Sequence, residues 1–574
     1  MRAARLTWFL IGVLIGGAVA GPAGLVFALE VHAAHPGLTR RIESRLPALG
    51  GQEQPTAIGN LSDVRVAVSV SARGRTISPY IYGVAAAPAA ALQTLGATTN
   101  RWGGDNSSRY NWVLGDAWNA ARDYNFENGD YGFSLSAPSS AADSFIDGTQ
   151  RSGAFALMTI PALGWVAGNK NSSTRSVGVP AKGGAPLTAG GSAIAGYDPA
   201  ANRALTSVPS EPSDPGSLAA APSVTGPVYE DQWVYFLQHR YGPAGVRFYA
   251  IDNEPDLWCE MDTDVHPACM SYDQMLSMFV QYATAVRRQA PQAQILGPVV
   301  SGWTGMFYSA LDRGTDNFAT HADRQAHGGE AFLPWWLQQV HRADQKSGIR
   351  TLDVLDVHWY PQEPNVYSPA DDPTTAALRI RSVRSLWDPS YTDQSWIGQP
   401  VDLIPRLKGW VAQDYPGTKV GISEYNFGGQ HSASGAVALA EALGAFGRQG
   451  LYLADYWTYP PIGSAAAAAF ELYRNYDGRG RTFGEVSVPV RVDQAGVRAF
   501  AAVHRSGSQK GEDDVILTNE SPNTNATVDV RMGSAATGDV YLIPPGTGTI
   551  TVQRNVSLSH VHVPPMGVAL VVAP

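Results

Sequence analysis

Charge is scarce in this chain. Charged side chains make up 16% of its 574 residues, against about a quarter in an average globular protein. With 60 Gly and 39 Pro, that composition excludes a coiled coil or a charged disordered tail and suits a long-looped secreted protein. What charge there is runs negative, at −9 net, which gives nucleic acid no electrostatic reason to bind. Cysteine is nearly absent: Cys259 and Cys269 stand alone, ten positions apart in CEMDTDVHPAC. No C-x-x-C or H-E-x-x-H spacing occurs, so the usual metal motifs are missing. No internal repeat is visible either.

Length is what the chain has in plenty. At 574 residues it predicts several domains, or one large barrel with an accessory module. Fifteen Trp and 24 Tyr suit both a large core and the stacking of sugar faces. Residues 1–29 set Arg2 and Arg5 ahead of an apolar stretch from Thr7 to Leu29 and read as an export segment. It is either a signal peptide cut after Ala18-Val19-Ala20 or an uncut membrane anchor, since 23 apolar residues are long enough to span a bilayer. The expected location is therefore secreted or held on the outer face of a membrane. Residues 30–60, rich in Ala, Pro, Gly and Gln, read as a linker. In an exported protein Cys259 and Cys269 are expected to pair; a metal site of the two thiols with His266 is the competing reading.

Beyond the linker, short β-branched runs alternate with helix-like segments. Candidate strands are Tyr80–Val84, Thr98–Trp102, Ala154–Ile160, Val246–Asp252, Gln294–Pro298, Leu352–Trp359, Lys419–Glu424 and Leu453–Trp457. Eight such runs predict a closed (β/α)8 barrel over 79–480. The intervening segments DQWVYFLQHR, YDQMLSMFVQYATAVRRQA and AVALAEALGAFGRQ carry apolar residues at helical spacing. Gly164 to Val228, rich in Gly, Ala, Ser and Pro, is too long for an ordinary connection and reads as a loop over the barrel mouth. Residues 481–574 hold alternating runs such as VSVPVRV, DDVILTN and ATVDVRM, the pattern of a β-sandwich. DVRVAVSVSA, within 61–78, alternates in the same way and is expected to add a strand to that sandwich.

Barrel enzymes carry their reactive groups at the C-terminal ends of the strands. YAIDNEPDLW puts Glu254 at the end of the fourth strand, and GTKVGISEY puts Glu424 at the end of the seventh, across the mouth. Paired carboxyl groups are what glycosidic cleavage requires: one protonates the leaving oxygen and the other attacks or activates water. Two structural glutamates ion-paired to loop arginines remain the competing reading.

Six segments, in order, carry a more specific resemblance: NRWGGDNSSRYNW, TIPALGWVA, YAIDNEPDLW, LDVLDVHWYP, ISEYNFGG and YRNYDG. Each resembles the corresponding stretch of glycoside hydrolase family 44, a clan A family of endo-acting β-glucanases built from a barrel and a β-sandwich. The resemblance implies that Glu254 is the general acid/base and Glu424 the nucleophile. It also implies that Asn253 hydrogen-bonds the sugar 2-hydroxyl. Nearby, Arg101 is placed to pair with Glu424 and hold its pKa down, and His358 to orient Glu424. Trp457 is placed to stack under the sugar, while Tyr360, Tyr425 and Trp359 are candidates for the cleft wall, of which at least one is expected to be core. Asp252 is expected to support the loop. Asp105 and Met261-Asp262 depart from the family's usual residues.

The expectation is thus a retaining endo-β-1,4-glucanase acting on a cellulose-like polysaccharide. It needs no organic cofactor; a structural metal ion is possible, with no ligand set assignable. The same carboxyl pair serves xylan, mannan or xyloglucan in related enzymes, and a silent glycan-binding envelope protein is the reading from another class.

Overall fold

The computed structural model describes residues 61–124, 126–130, 137–168, 170, 228–243 and 245–574, with short pieces between 197 and 207. The export segment, the linker and most of the stretch from Gly164 to Val228 lie outside the described residues. Among the described residues no helix is long and apolar enough to cross a membrane.

Eight parallel strands close into a barrel: Gly83–Ala85, Thr99–Trp102, Phe155–Ile160, Phe248–Ile251, Gln294–Val300, Val354–Trp359, Lys419–Tyr425 and Leu453–Tyr456. These strands are almost wholly buried, and all but the second, TNRW, read as largely apolar runs rather than alternating ones. The first is shorter than its sequence suggests. Ser78 caps a tight turn over Pro79–Ile81, so Tyr80 leaves the strand and meets Phe155, Phe248 and Tyr452 edge-on. Phe248 belongs to, and Tyr80 and Tyr452 pack against, a separate apolar cluster with Leu157, Leu296 and Leu453.

The helices fall where the apolar spacing predicts them. Glu230–Tyr241 and Tyr272–Gln289 run before and after the fourth strand, the latter opened by a Ser271/Gln274 capping box that satisfies two terminal N–H groups. Ala433–Gln449 is buried from Ser434 to Gly447, as befits a helix apolar on every side. It is sandwiched between barrel and C-terminal domain. A Cβ on Gly444 would lie 2.3 Å from the Phe500 ring, so glycine alone permits that approach.

The C-terminal domain is two sheets, of four and seven strands. Val64–Val68 lies inside the smaller one, antiparallel to Val490–Val492 and parallel to Ala526–Met532. Its alternating burial sends Val64, Val66 and Val68 into the sandwich core. Buried Glu441, on the shared helix, accepts from Thr518 Oγ1 at 2.8 Å and pairs with Arg498 at 3.2 Å, tying the two domains together.

Cys259 and Cys269 are bonded to each other. The bridge closes the loop that carries Asp262 and Asp264, both of which face Arg109. Closing so short a loop is worth about 2–3 kcal/mol. Reduction is therefore expected to lower the melting temperature by several degrees, measured by calorimetry with and without a thiol reductant; an unchanged melting temperature would show the loop to be held by its ion pairs alone.

Candidate active site

The fourth strand stops at Ile251 and the chain turns at once. Asp252 and Glu254 both take left-handed backbone, at φ 62° and 43°, a conformation that costs a non-glycine residue about 1 kcal/mol or more. Asp252 holds the turn in place: its carboxyl accepts from the Ser108 hydroxyl at 2.5 Å and from the N–H groups of Asn253 and Ala162 at 2.7 and 2.5 Å. Below it, Asp256 accepts from the backbone and hydroxyl of Ser301 at 3.0 and 2.7 Å. The Glu254 side chain is thereby fixed at the end of the fourth strand, where its Oε1 meets His358.

Glu424 reaches the same point from the seventh strand. Between Val357 and His358 the pairing of strands six and seven skips Ser423, which sets His358 beside Glu424. Asp356 absorbs the skipped residue by accepting from Ser423 N–H at 3.0 Å and from its hydroxyl at 2.5 Å. As a result one oxygen of Glu254, one of Glu424 and a ring nitrogen of His358 all lie within 4.8 Å of one another.

Both oxygens of Glu424 are taken. Arg101 donates to Oε1 and Tyr360 donates its hydroxyl to Oε2 at 2.8 Å. Arg101 also donates to Asn253 Oδ1 at 2.7 Å, linking strands two, four and seven. This needs the glycine pair that follows: a Cβ on Gly103 would sit 2.4 Å from the Arg101 guanidinium carbon, and one on Gly104 would strike Trp457 at 2.7 Å. Trp457 is half-buried at the end of strand eight, its ring 5.9 Å from that guanidinium.

His358 differs from its expected role. Its Nδ1 sits 2.7 Å from Glu254 Oε1 and 3.4 Å from Glu424 Oε2, so it orients Glu254 first and only bridges toward Glu424. Tyr360 is a hydrogen-bond partner of Glu424. Tyr425 and Trp359 are core, at 0% and 1% exposure.

The two carboxyls are pushed in opposite directions. Burial raises Glu254 well above the ordinary carboxyl range, and the neighbouring charges of Glu424 and Asp256 push the same way. Burial would raise Glu424 too, but His358, the Arg101 charge and the hydrogen bonds of Arg101 and Tyr360 outweigh it and hold Glu424 low. One group keeps a proton where the other gives it up, the division of labour that acid/base chemistry with a nucleophile requires.

Residues 117–363 match glycoside hydrolase family 44. A solved structure, CelM2, a bifunctional glucanase-xylanase from a metagenome library, is 34% identical, covers 89% of this chain and 99% of its own, and superposes with a TM-score of 0.75. The chain belongs to glycoside hydrolase family 44. Endoglucanase A of Paenibacillus lautus is 32% identical over 453 residues, 74% of this chain. The family-44 chain spans only 59% of that relative's length. A Paenibacillus polymyxa xyloglucanase of the same family, solved with xyloglucan, is 27% identical with a TM-score of 0.76, covering 89% of this chain and 99% of its own.

Among the described residues, Glu254, His358 and Glu424 form the one group of acidic and histidine side chains close enough to share a metal ion. The fit is poor: Arg101 and Tyr360 hold both Glu424 oxygens, and His358 holds Glu254 Oε1. Sequence reasoning passed over Asp356 and Asp455, buried acids inside barrel strands that burial raises to about 6 and about 8. Both announce themselves as acids in otherwise apolar runs, LDVLDV and LADY.

Proposed function

We propose that this chain is an exported retaining endo-β-1,4-glucanase in which Glu254 is the acid/base and Glu424 the nucleophile. The observation that carries the reading is the closeness of the two carboxyls, with an oxygen of each within 4.8 Å. Retaining enzymes hold their carboxyl groups about 5–5.5 Å apart and inverting ones about 6.5–9.5 Å. The opposed pKa shifts of the pair support the same roles. In the first step Glu424 attacks the anomeric carbon while Glu254 protonates the departing glycosidic oxygen. In the second, Glu254 takes a proton from water, which displaces Glu424. Arg101, with Asn253 in its grip, and Trp457 bound the same space and are assigned to sugar binding.

Xyloglucan is the second substrate to try, on the strength of the P. polymyxa neighbour solved with it. A silent glycan-binding role is disfavoured by the intact carboxyl pair. Soluble cellulose derivatives, xyloglucan, xylan and mannan, followed by viscosity and reducing ends together, test the reading. Viscosity should fall well ahead of reducing-end release on a β-1,4-glucan. NMR of the first product should show the β-anomer; the α-anomer would overturn the nucleophile assignment.

A further inference from the structure

Asn253 is held from two sides. Its carbonyl oxygen accepts from Arg101 at 2.7 Å and from Gly104 N–H at 3.3 Å, while its Nδ2 donates to Asp105 Oδ1 at 3.0 Å. Asp105 opens the 3-10 turn Asp105–Arg109 and lies beside the carboxyl of Asp123, on the turn Ala121–Tyr124. The two turns are fastened together: Asn119 Oδ1 accepts from both Arg109 Nη1 and Ala121 N–H at 2.9 Å. A hydrogen bond between two carboxyls requires a proton on one of them.

The surroundings say which carboxyl holds it. Glu254, Asp262 and Glu424 all face Asp105, and burial with Asp123 beside it raises Asp105 well above the ordinary range. Asp123 has Arg122 as a neighbour and is raised only to about 6, also by burial. Arg101 and Arg109 do not relieve Asp105, being committed to Glu424 and to Asp264.

We propose that Asp105 is a positioning residue that works as a protonated acid, donating its hydroxyl to Asp123 and accepting from Asn253, so that the Asn253 amide is fixed for the sugar 2-hydroxyl. The single negative charge of the pair, on Asp123, also faces Glu254 and helps keep it protonated. This rests on the reading of Glu254 and Glu424 as the hydrolytic pair.

Three variants of the full chain test it. D105A removes the acceptor and should lower kcat/KM about tenfold, chiefly in kcat, since a contact to the 2-hydroxyl is strongest in the transition state. D105N can still accept from Asn253 and donate to Asp123, and should recover most of that loss. D105N/D123N keeps an amide at each position but removes the charge, so Glu254 should ionise more readily and the alkaline limb of kcat/KM should move to lower pH. A D105N as damaged as D105A, or an alkaline limb unmoved in the double variant, overturns the proposal. The side-chain amide signals of Asn253, followed by NMR in asparagine-labelled protein, should move in D105A and stay in D105N. That readout needs no turnover, so it decides the positioning role even if no β-glycan is hydrolysed, a result that would instead sink the hydrolytic reading.

Discussion

Replacing Glu424 with alanine should abolish turnover on polysaccharide and activated aryl glycosides alike, a loss of roughly 10⁴-fold or more in kcat. The reason is that no leaving group, however good, substitutes for a missing nucleophile. The space vacated lies against Arg101 and Tyr360, which bind the Glu424 oxygens in the intact protein and stand ready to hold a small anion. Azide should therefore restore turnover of an aryl glycoside and leave an α-glycosyl azide, since a single displacement inverts. Residual activity without azide above that level, or a rescued product of β configuration, would mean that Glu424 is not the attacking group.

Glu254→Ala should fail differently. On polysaccharide the departing oxygen needs its proton, and the loss should be on the order of 10²–10⁴-fold. On aryl glycosides with an acidic phenol the first step should survive and the second should slow, so a burst of phenol precedes a slow steady state. Azide should then give a β-glycosyl azide. In the intact enzyme the same residue should set the alkaline limb. Glu254 must be protonated to act, and its raised pKa keeps it so until pH climbs through that value; Glu424 must be ionised, and its lowered pKa carries activity down into acid. The alkaline limb should vanish from the first-step rate of Glu254→Ala; if it stays, another group supplies the proton.

Much of this was legible in the chain itself. Most of the barrel strands are apolar runs whose order the alternation with helices dictates, and Glu254 and Glu424 stand out because a carboxyl ends an otherwise buried run. The Arg101–Glu424 contact followed from both lying at strand ends. What failed was finer than a strand. The end of strand six places His358 at the mouth, but its nearer partner is Glu254 rather than Glu424, and where a ring nitrogen points leaves no mark in composition. Tyr360 was a candidate for the wall, and its position beyond strand six says nothing of where its hydroxyl points. Asp123 lies on a short turn between irregular segments, and only folding brings it to Asp105.

The strand Val64–Val68 sits in the midst of a sheet whose other members begin at Val490. Topologically the barrel is an insertion within the sandwich. As the chain emerges, Val64–Val68 finds no partner until the residues from Val490 onward have appeared, and a contact of such long sequence separation closes late. The sandwich is thus a clasp fastened over a finished barrel. It cannot be trimmed away as a detachable module without leaving both ends of the barrel chain loose.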